Sequence, residues 1–220
     1  MDKTKLKRLF KTYGRLWLAY IIFFLALGIL KEFFPSLDGE YTQSSMREML
    51  KKEPFKLFIL ACVFAPIVEE MMFRTLVKPT HNDLILFLCA WPIFIGIRFL
   101  PYDVHWGLKI GFAAVLVFVF FTVLKELIPK YKTVTIREGL HKYLWTVVII
   151  TSIIFGLVHI NNYVDSFTIN VALVALIIPR IISGYMMASI KIKNDGLSWA
   201  MSLHFLNNFV VVGIGLLAQS

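Results

Sequence analysis

The chain has 220 residues, of which 58% are hydrophobic and only 17% charged, with a mean hydropathy of +0.73. A soluble domain sits nearer half apolar and a quarter charged, so this composition excludes an ordinary water-soluble fold. The formal charge of +9 does not indicate a nucleic-acid partner, because the lysines and arginines gather mainly at the ends of apolar blocks and not among aromatics on a polar domain.

In chain order the apolar residues form seven blocks, at about 16–34, 55–77, 84–100, 107–128, 143–163, 167–190 and 197–218. Roughly 20 apolar residues at 1.5 Å each cross a hydrocarbon core, so the pattern predicts an all-α, polytopic integral membrane protein with about seven transmembrane helices. Residues 1–220 are read as a single transmembrane domain. The first block follows a lysine-rich start, as in a signal peptide, but ends in Lys31-Glu32-Phe33-Phe34-Pro35 without a small-residue cleavage site. An uncleaved span is expected. The polar stretch after it carries Ser44-Ser45-Met46-Arg47-Glu48, a short interfacial helix. Pro92 and Gly96 are expected to break the third block. Cys62 and Cys89 lie inside apolar blocks and read as small buried hydrophobes.

Segments on the N-terminal side of the alternating blocks, among them Lys191 and Lys193, carry about twice as many lysines and arginines as those opposite. That bias places the N-terminus in the cytoplasm, and the plasma membrane is the simplest location.

Charge inside a span costs at least about 2.5–3.5 kcal/mol per residue on insertion scales, so each charged group calls for a partner or a purpose. The second block contains Glu69-Glu70-Met71-Met72-Phe73-Arg74. Glu70 and Arg74 stand four residues apart on one helical face, with the acid N-terminal, the favourable order for a pair. Glu69 projects about 100° away and is left free to act as a base. The fifth block ends in Phe155-Gly156-Leu157-Val158-His159, and the seventh holds His204 with Asn208 one turn later.

A carboxylate and two imidazoles on three spans suit two kinds of chemistry. They can hold or deprotonate a water, directly or on a metal, or they can relay protons through a transporter. Asn208 adds an amide donor of the sort that stabilises an oxyanion. Depth is the test of whether these groups meet. At helical rise Glu69 and His204 lie about 13 and 10 Å from the inner ends of their blocks, whereas His159 lies about 24 Å up. The gap narrows if residues 137–144 lie along the interface and the span continues past Asn161. Arg180, after Pro179, reads either as a contact to Glu70 or a substrate carboxylate, or as a snorkelling cation that caps freed carbonyls.

Glu-Glu-x-x-x-Arg at 69–74, Phe-x-x-x-His at 155–159 and His-x-x-x-Asn at 204–208, in that order, resemble the CAAX prenyl protease and bacteriocin-processing (CPBP, Abi-type) intramembrane proteases. The resemblance implies hydrolysis of a peptide bond of a membrane-associated protein or peptide at the lipid bilayer. It implies that Glu69 with His159 activates water, that His204 and Asn208 support the oxyanion, and that Glu70 and Arg74 support the site. Members are commonly described as metalloproteases, which would make Glu69, His159 and His204 ligands of zinc; a metal-free glutamate mechanism is the alternative. The motif-bearing core is 55–78 and 143–218. About 90 residues separate Glu70 from His159, more than the family spacing, so 84–128 reads as a two-helix insertion. The rival class is a non-enzymatic membrane protein with the same polar core, either a bacteriocin-immunity or scaffold protein or a proton-coupled transporter.

Overall fold

The computed structural model describes residues 2–37, 41, 43–101, 103–164 and 170–218, apart from the side chains of Ser45 and Arg98. The start of the sixth predicted block, residues 167–169, lies outside the described residues.

Among the described residues the chain is helical throughout, without strands. Helix α1 (Lys3–Phe33) starts thirteen residues before the first predicted block. Asp2 caps it by accepting from the Thr4 amide at 2.8 Å. No proline interrupts the basic segment, and Leu9, Thr12, Leu16 and Tyr20 recur at helical spacing to make its buried face. The short helix expected in the polar stretch is α2 (Ser44–Lys52). Helix α3 (Pro54–Phe58) continues through a π-helical segment, Ile59–Phe64, into α4 (Ala65–Phe73), so that the second span is one continuous rod over 54–73.

Helix α5 (His81–Gly96) opens on a capping box in which Thr80 and Asp83 exchange bonds. It runs straight through Pro92, contrary to the predicted break, and stops at Gly96, before a 3₁₀ turn. A single proline removes one backbone bond, which a helix packed among neighbours tolerates. Helix α6 (Trp106–Leu127) returns, the short α7 (Val134–Lys142) follows, and α8 (Leu144–Leu157) ends in a 3₁₀ turn, Val158–Asn162. Helices α9 (Val171–Asn194) and α10 (Leu197–Leu217) complete the chain.

Five of these elements are long and apolar enough to cross a membrane: α1, α6, Leu144–Asn162, α9 and α10. The rod over 54–73 and the 16-residue α5 traverse the same thickness. At one end of the rod Leu57 packs with Val212 near the end of α10, and beyond the other end Val77 packs with Val148 and Ala188. Contacts between remote segments confirm that successive spans alternate in direction. The Asn194 amide donates to the Lys5 carbonyl, Lys78 pairs with Asp195 at 2.9 Å, and His81 meets Thr133, all at the N-terminal end of the molecule. Lys78 holds the exposed Asp195 carboxyl below the usual carboxylate range through its hydrogen bond.

Two interfaces position the motifs. Val68, Met71, Met72 and Phe73 of α4 pack against Ile85, Cys89, Ala90 and Ile93 of α5, which turns the opposite face of α4 inward. Cys62 and Cys89 are free and fully buried, as expected. Helices α8 and α9 approach closely because a side chain on Gly156 would collide with Ile181, and one on Gly184 would lie 3.1 Å from the Arg74 guanidinium.

Lys191 departs from the sequence reading. It is not a flanking surface cation but is 3% exposed, donating to the Arg74 carbonyl at 2.8 Å and to Asp83 at 3.1 Å. Helix α4 ends at that carbonyl, which accepts from Lys191 as well as from the Val77 amide of the following turn.

Candidate active site

The adjacent glutamates diverge as their helical phase requires. Glu70 is fully buried, its Oε1 accepts from His204 Nδ1 at 2.9 Å, and its Oε2 faces Arg74 Nε at 3.4 Å. That last approach is an ion pair without hydrogen-bond alignment. Arg74 is fully buried too, with its guanidinium carbon 4.4 Å from the centre of the Phe155 ring and Nη2 on the Met187 sulfur at 3.7 Å. Gly184 leaves the room that this guanidinium occupies.

Glu69 points into a cavity. Its Oε2 lies 3.7 Å from His159 Nε2 and 3.8 Å from His204 Nε2, and has no hydrogen-bond partner among the described residues. The outer ring nitrogens are committed elsewhere. His159 Nδ1 is 2.6 Å from the Phe155 carbonyl, which can only accept, so Nδ1 carries the proton and Nε2 presents a lone pair to the cavity. His204 Nδ1 likewise serves Glu70. Phe155 is the floor under both rings, with centroids 4.8 and 5.7 Å away.

The depth of His159 follows from where α8 begins. Val148 already lies beside Val77, beyond the end of α4, and Phe155 stacks edge-on to Phe73 at 5.5 Å. Helix α8 thus starts about two turns before the level of Arg74, and one turn past Phe155 brings His159 level with Glu69. Helix α7 precedes this span and is separated from it only by Tyr143.

Asn208 is held by a backbone irregularity that the sequence reading missed. In the π segment the Ala65 amide reaches back five residues to the Leu60 carbonyl. The next residue, Pro66, has no N–H, so the Ala61 carbonyl lacks the corresponding partner. The Asn208 amide fills that gap, donating at 2.8 Å. Its second N–H is left to face the cavity. The signal for this was a proline inside the second block, one turn before the glutamates.

The cavity has a volume of about 360 Å³ and is lined by Glu69, His159, His204 and Asn208 together with Arg180, Asn161 and Asn162. Of these the sequence reading did not single out Asn161 and Asn162 as site residues, although their polarity at a block end was visible. Gln43, Met46 and Met49 close the cavity from the connection between α1 and α3. No residue of α5 or α6 touches it. Among the described residues no group of three or more His, Cys, Asp or Glu side chains is arranged to hold a metal ion. Zinc bound at 2.0–2.1 Å would draw its ligand atoms to within roughly 3.3 Å of one another. The observed spacings of 3.7 and 3.8 Å are wider than that, so the three groups as placed do not form a zinc site, and no step below runs through a metal.

A bundle of apolar helices that buries a carboxylate, two imidazoles and an amide around one cavity defines a polytopic membrane protein with a hydrolase-like centre. Residues 51–210 match the family described as type II CAAX prenyl endopeptidase, Rce1-like, and the chain belongs to that family. It is accordingly a multi-pass, CAAX-type membrane protease, acting on peptide substrates at a lipid bilayer. No curated protein and no solved structure matches the chain.

Proposed function

We propose that the chain hydrolyses a peptide bond of a membrane-associated protein or peptide, with Glu69 as the general base. The observation that carries this reading is the unpartnered Glu69 Oε2, facing two ring nitrogens at 3.7 and 3.8 Å in a cavity large enough for a peptide segment. A water bound there donates one hydrogen to Glu69 and the other to His159 Nε2. As Glu69 takes its proton, the water oxygen attacks the scissile carbonyl carbon and the carbonyl π pair moves to oxygen. His204, braced at Nδ1 by Glu70, donates Nε2–H to that oxyanion, and Asn208 adds its second N–H. Collapse breaks the C–N bond, and the proton held by Glu69 passes to the leaving amine. The setting we propose is the plasma membrane with the N-terminus cytoplasmic.

The test is cleavage of a membrane-anchored fluorogenic peptide by purified protein in liposomes. Glu69→Gln, which keeps the shape and removes the base, is expected to abolish turnover. Full activity in that variant would overturn the mechanism.

A further inference from the structure

Arg74 is gripped at both ends by one face of α9. Gly184, Met187 and Lys191 stand three and four residues apart along that helix, so they share a side. Gly184 leaves room for the guanidinium, and the Met187 sulfur lies 3.7 Å from Nη2. At the other end Lys191 Nζ donates to the Arg74 backbone carbonyl at 2.8 Å. Lys191 is 3% exposed, whereas Lys193, two residues on, is exposed. A lysine this close to the end of a span ordinarily extends its stem toward water. Lys191 turns inward instead, and Asp83 lies 3.1 Å from its Nζ.

The Arg74 carbonyl already accepts from the Val77 amide at 3.1 Å, so a missing hydrogen bond does not account for the buried lysine. What Lys191 adds is a fixed point between three helices. Asp83 sits in the first turn of α5, where its Oδ2 also accepts from the Thr80 amide at 2.9 Å. The Lys191 side chain thus ties the C-terminal end of α4 to the start of α5 and to α9. From there a line of contacts runs into the site. The Arg74 amide donates to the Glu70 carbonyl at 2.9 Å, and Arg74 Nε lies 3.4 Å from Glu70 Oε2. Glu70 Oε1 in turn accepts from His204 Nδ1 at 2.9 Å. Any shift of the Arg74 backbone is therefore passed through Glu70 to the imidazole that faces the cavity.

We propose that Lys191 is a positioning residue for the reaction, fixing the end of α4 so that Glu70 holds His204 at the oxyanion. The proposal rests on the hydrolytic reading of the site. Lys191 touches neither the substrate nor the reacting atoms, so its loss lowers kcat and leaves KM unchanged.

The test compares two variants. Lys191→Met keeps most of the stem and removes the donor to Arg74. Asp83→Asn removes the counter-charge but keeps an oxygen for Lys191 and for the Thr80 amide. Cleavage of the membrane-anchored fluorogenic peptide is measured in liposomes, with rates taken per folded molecule. Lys191→Met should lose about 10- to 100-fold in kcat, the scale set by a small misplacement of a reacting group. Asp83→Asn should melt at a lower temperature with the kcat of the parent. A second readout does not depend on cleavage: the ring-nitrogen magnetic resonance signal of His204 in protein carrying isotope-labelled histidine, assigned by its loss in His204→Gln. That signal should move in Lys191→Met and stay in place in Asp83→Asn. A parent-like kcat or an unmoved His204 signal in Lys191→Met overturns the proposal. So does an equal loss of kcat in Asp83→Asn, which would make the ion pair a stability element alone. If the parent protein does not cleave, the hydrolytic reading fails, and the His204 signal still decides whether Lys191 holds that ring in place. If Lys191→Met does not fold, the double variant Lys191→Met with Asp83→Leu, which leaves neither charge of the pair buried alone, is judged by the same two criteria.

Discussion

Glu69 and Glu70 are neighbours in sequence with opposite surroundings, because one step along a helix turns the side chain by about 100°. Glu70 belongs to the packed interior with Arg74 and His204, and Glu69 belongs to the cavity. The two Glu→Gln variants should therefore fail differently. Glu70→Gln leaves Arg74 buried without its counter-charge and should cost about 3–5 kcal/mol of stability, measured by thermal or denaturant unfolding in detergent. Glu69→Gln should unfold like the parent while losing turnover. Asn208→Ala removes both an oxyanion donor and the partner of the Ala61 carbonyl; a 10²–10³-fold drop in kcat is expected, with a stability loss of about 1–3 kcal/mol. A smaller drop in kcat, with the stability loss intact, would reduce Asn208 to a structural tie. The Glu70–Arg74 pair was legible from spacing alone, since four residues on a helix can meet in only one way. The Glu70–His204 bond was not, because it joins residues 134 apart whose meeting depends on how α4 and α10 pack.

At the scale of elements, the site depends on irregularities more than on regular helix. The π segment and Pro66 free one carbonyl for Asn208, and the 3₁₀ turn after α8 carries His159. Hydropathy marks where a span lies but is silent on whether its bonds run to the third, fourth or fifth residue back, so both features escaped the sequence reading. So did the full length of α1, whose basic first half is helical because its apolar residues recur on one face against α9 and α10. Gly184 makes a sharper test of packing. A methyl there would press on the Arg74 guanidinium, on the Ser152 backbone at 3.2 Å and on the Phe155 ring at 3.3 Å. Gly184→Ala should destabilise the protein by about 1–3 kcal/mol and lower kcat, as both the arginine brace and the floor beneath the histidines shift. An unchanged melting temperature with full activity would show that Arg74 can move aside.

For the whole molecule, the α5–α6 hairpin packs on α4 and lends no residue to the lining of the cavity, so the long stretch between Glu70 and His159 does not disturb the site. The alternation of spans also sets the two ends of the bundle apart. Lys5, Lys78 and Asp195 mark one end; Gln43, Met46, Asn161 and Asn162, which rim the cavity, mark the other. Single cysteines in place of Ser44 and Glu138 should therefore lie on opposite faces of the membrane. With a cytoplasmic N-terminus, an impermeant maleimide applied to intact cells should label Ser44→Cys and spare Glu138→Cys. The reverse pattern would invert the orientation, and equal labelling of both would contradict the alternation. That separation has a chemical consequence. The cavity runs from Glu69 and His204 toward the connection that carries Gln43 and Met46, on the side away from the N-terminus. If the basic start of α1 faces the cytosol, water that enters past Gln43 and Met46 comes from the external fluid, whose acidity and ionic strength are then expected to govern the rate.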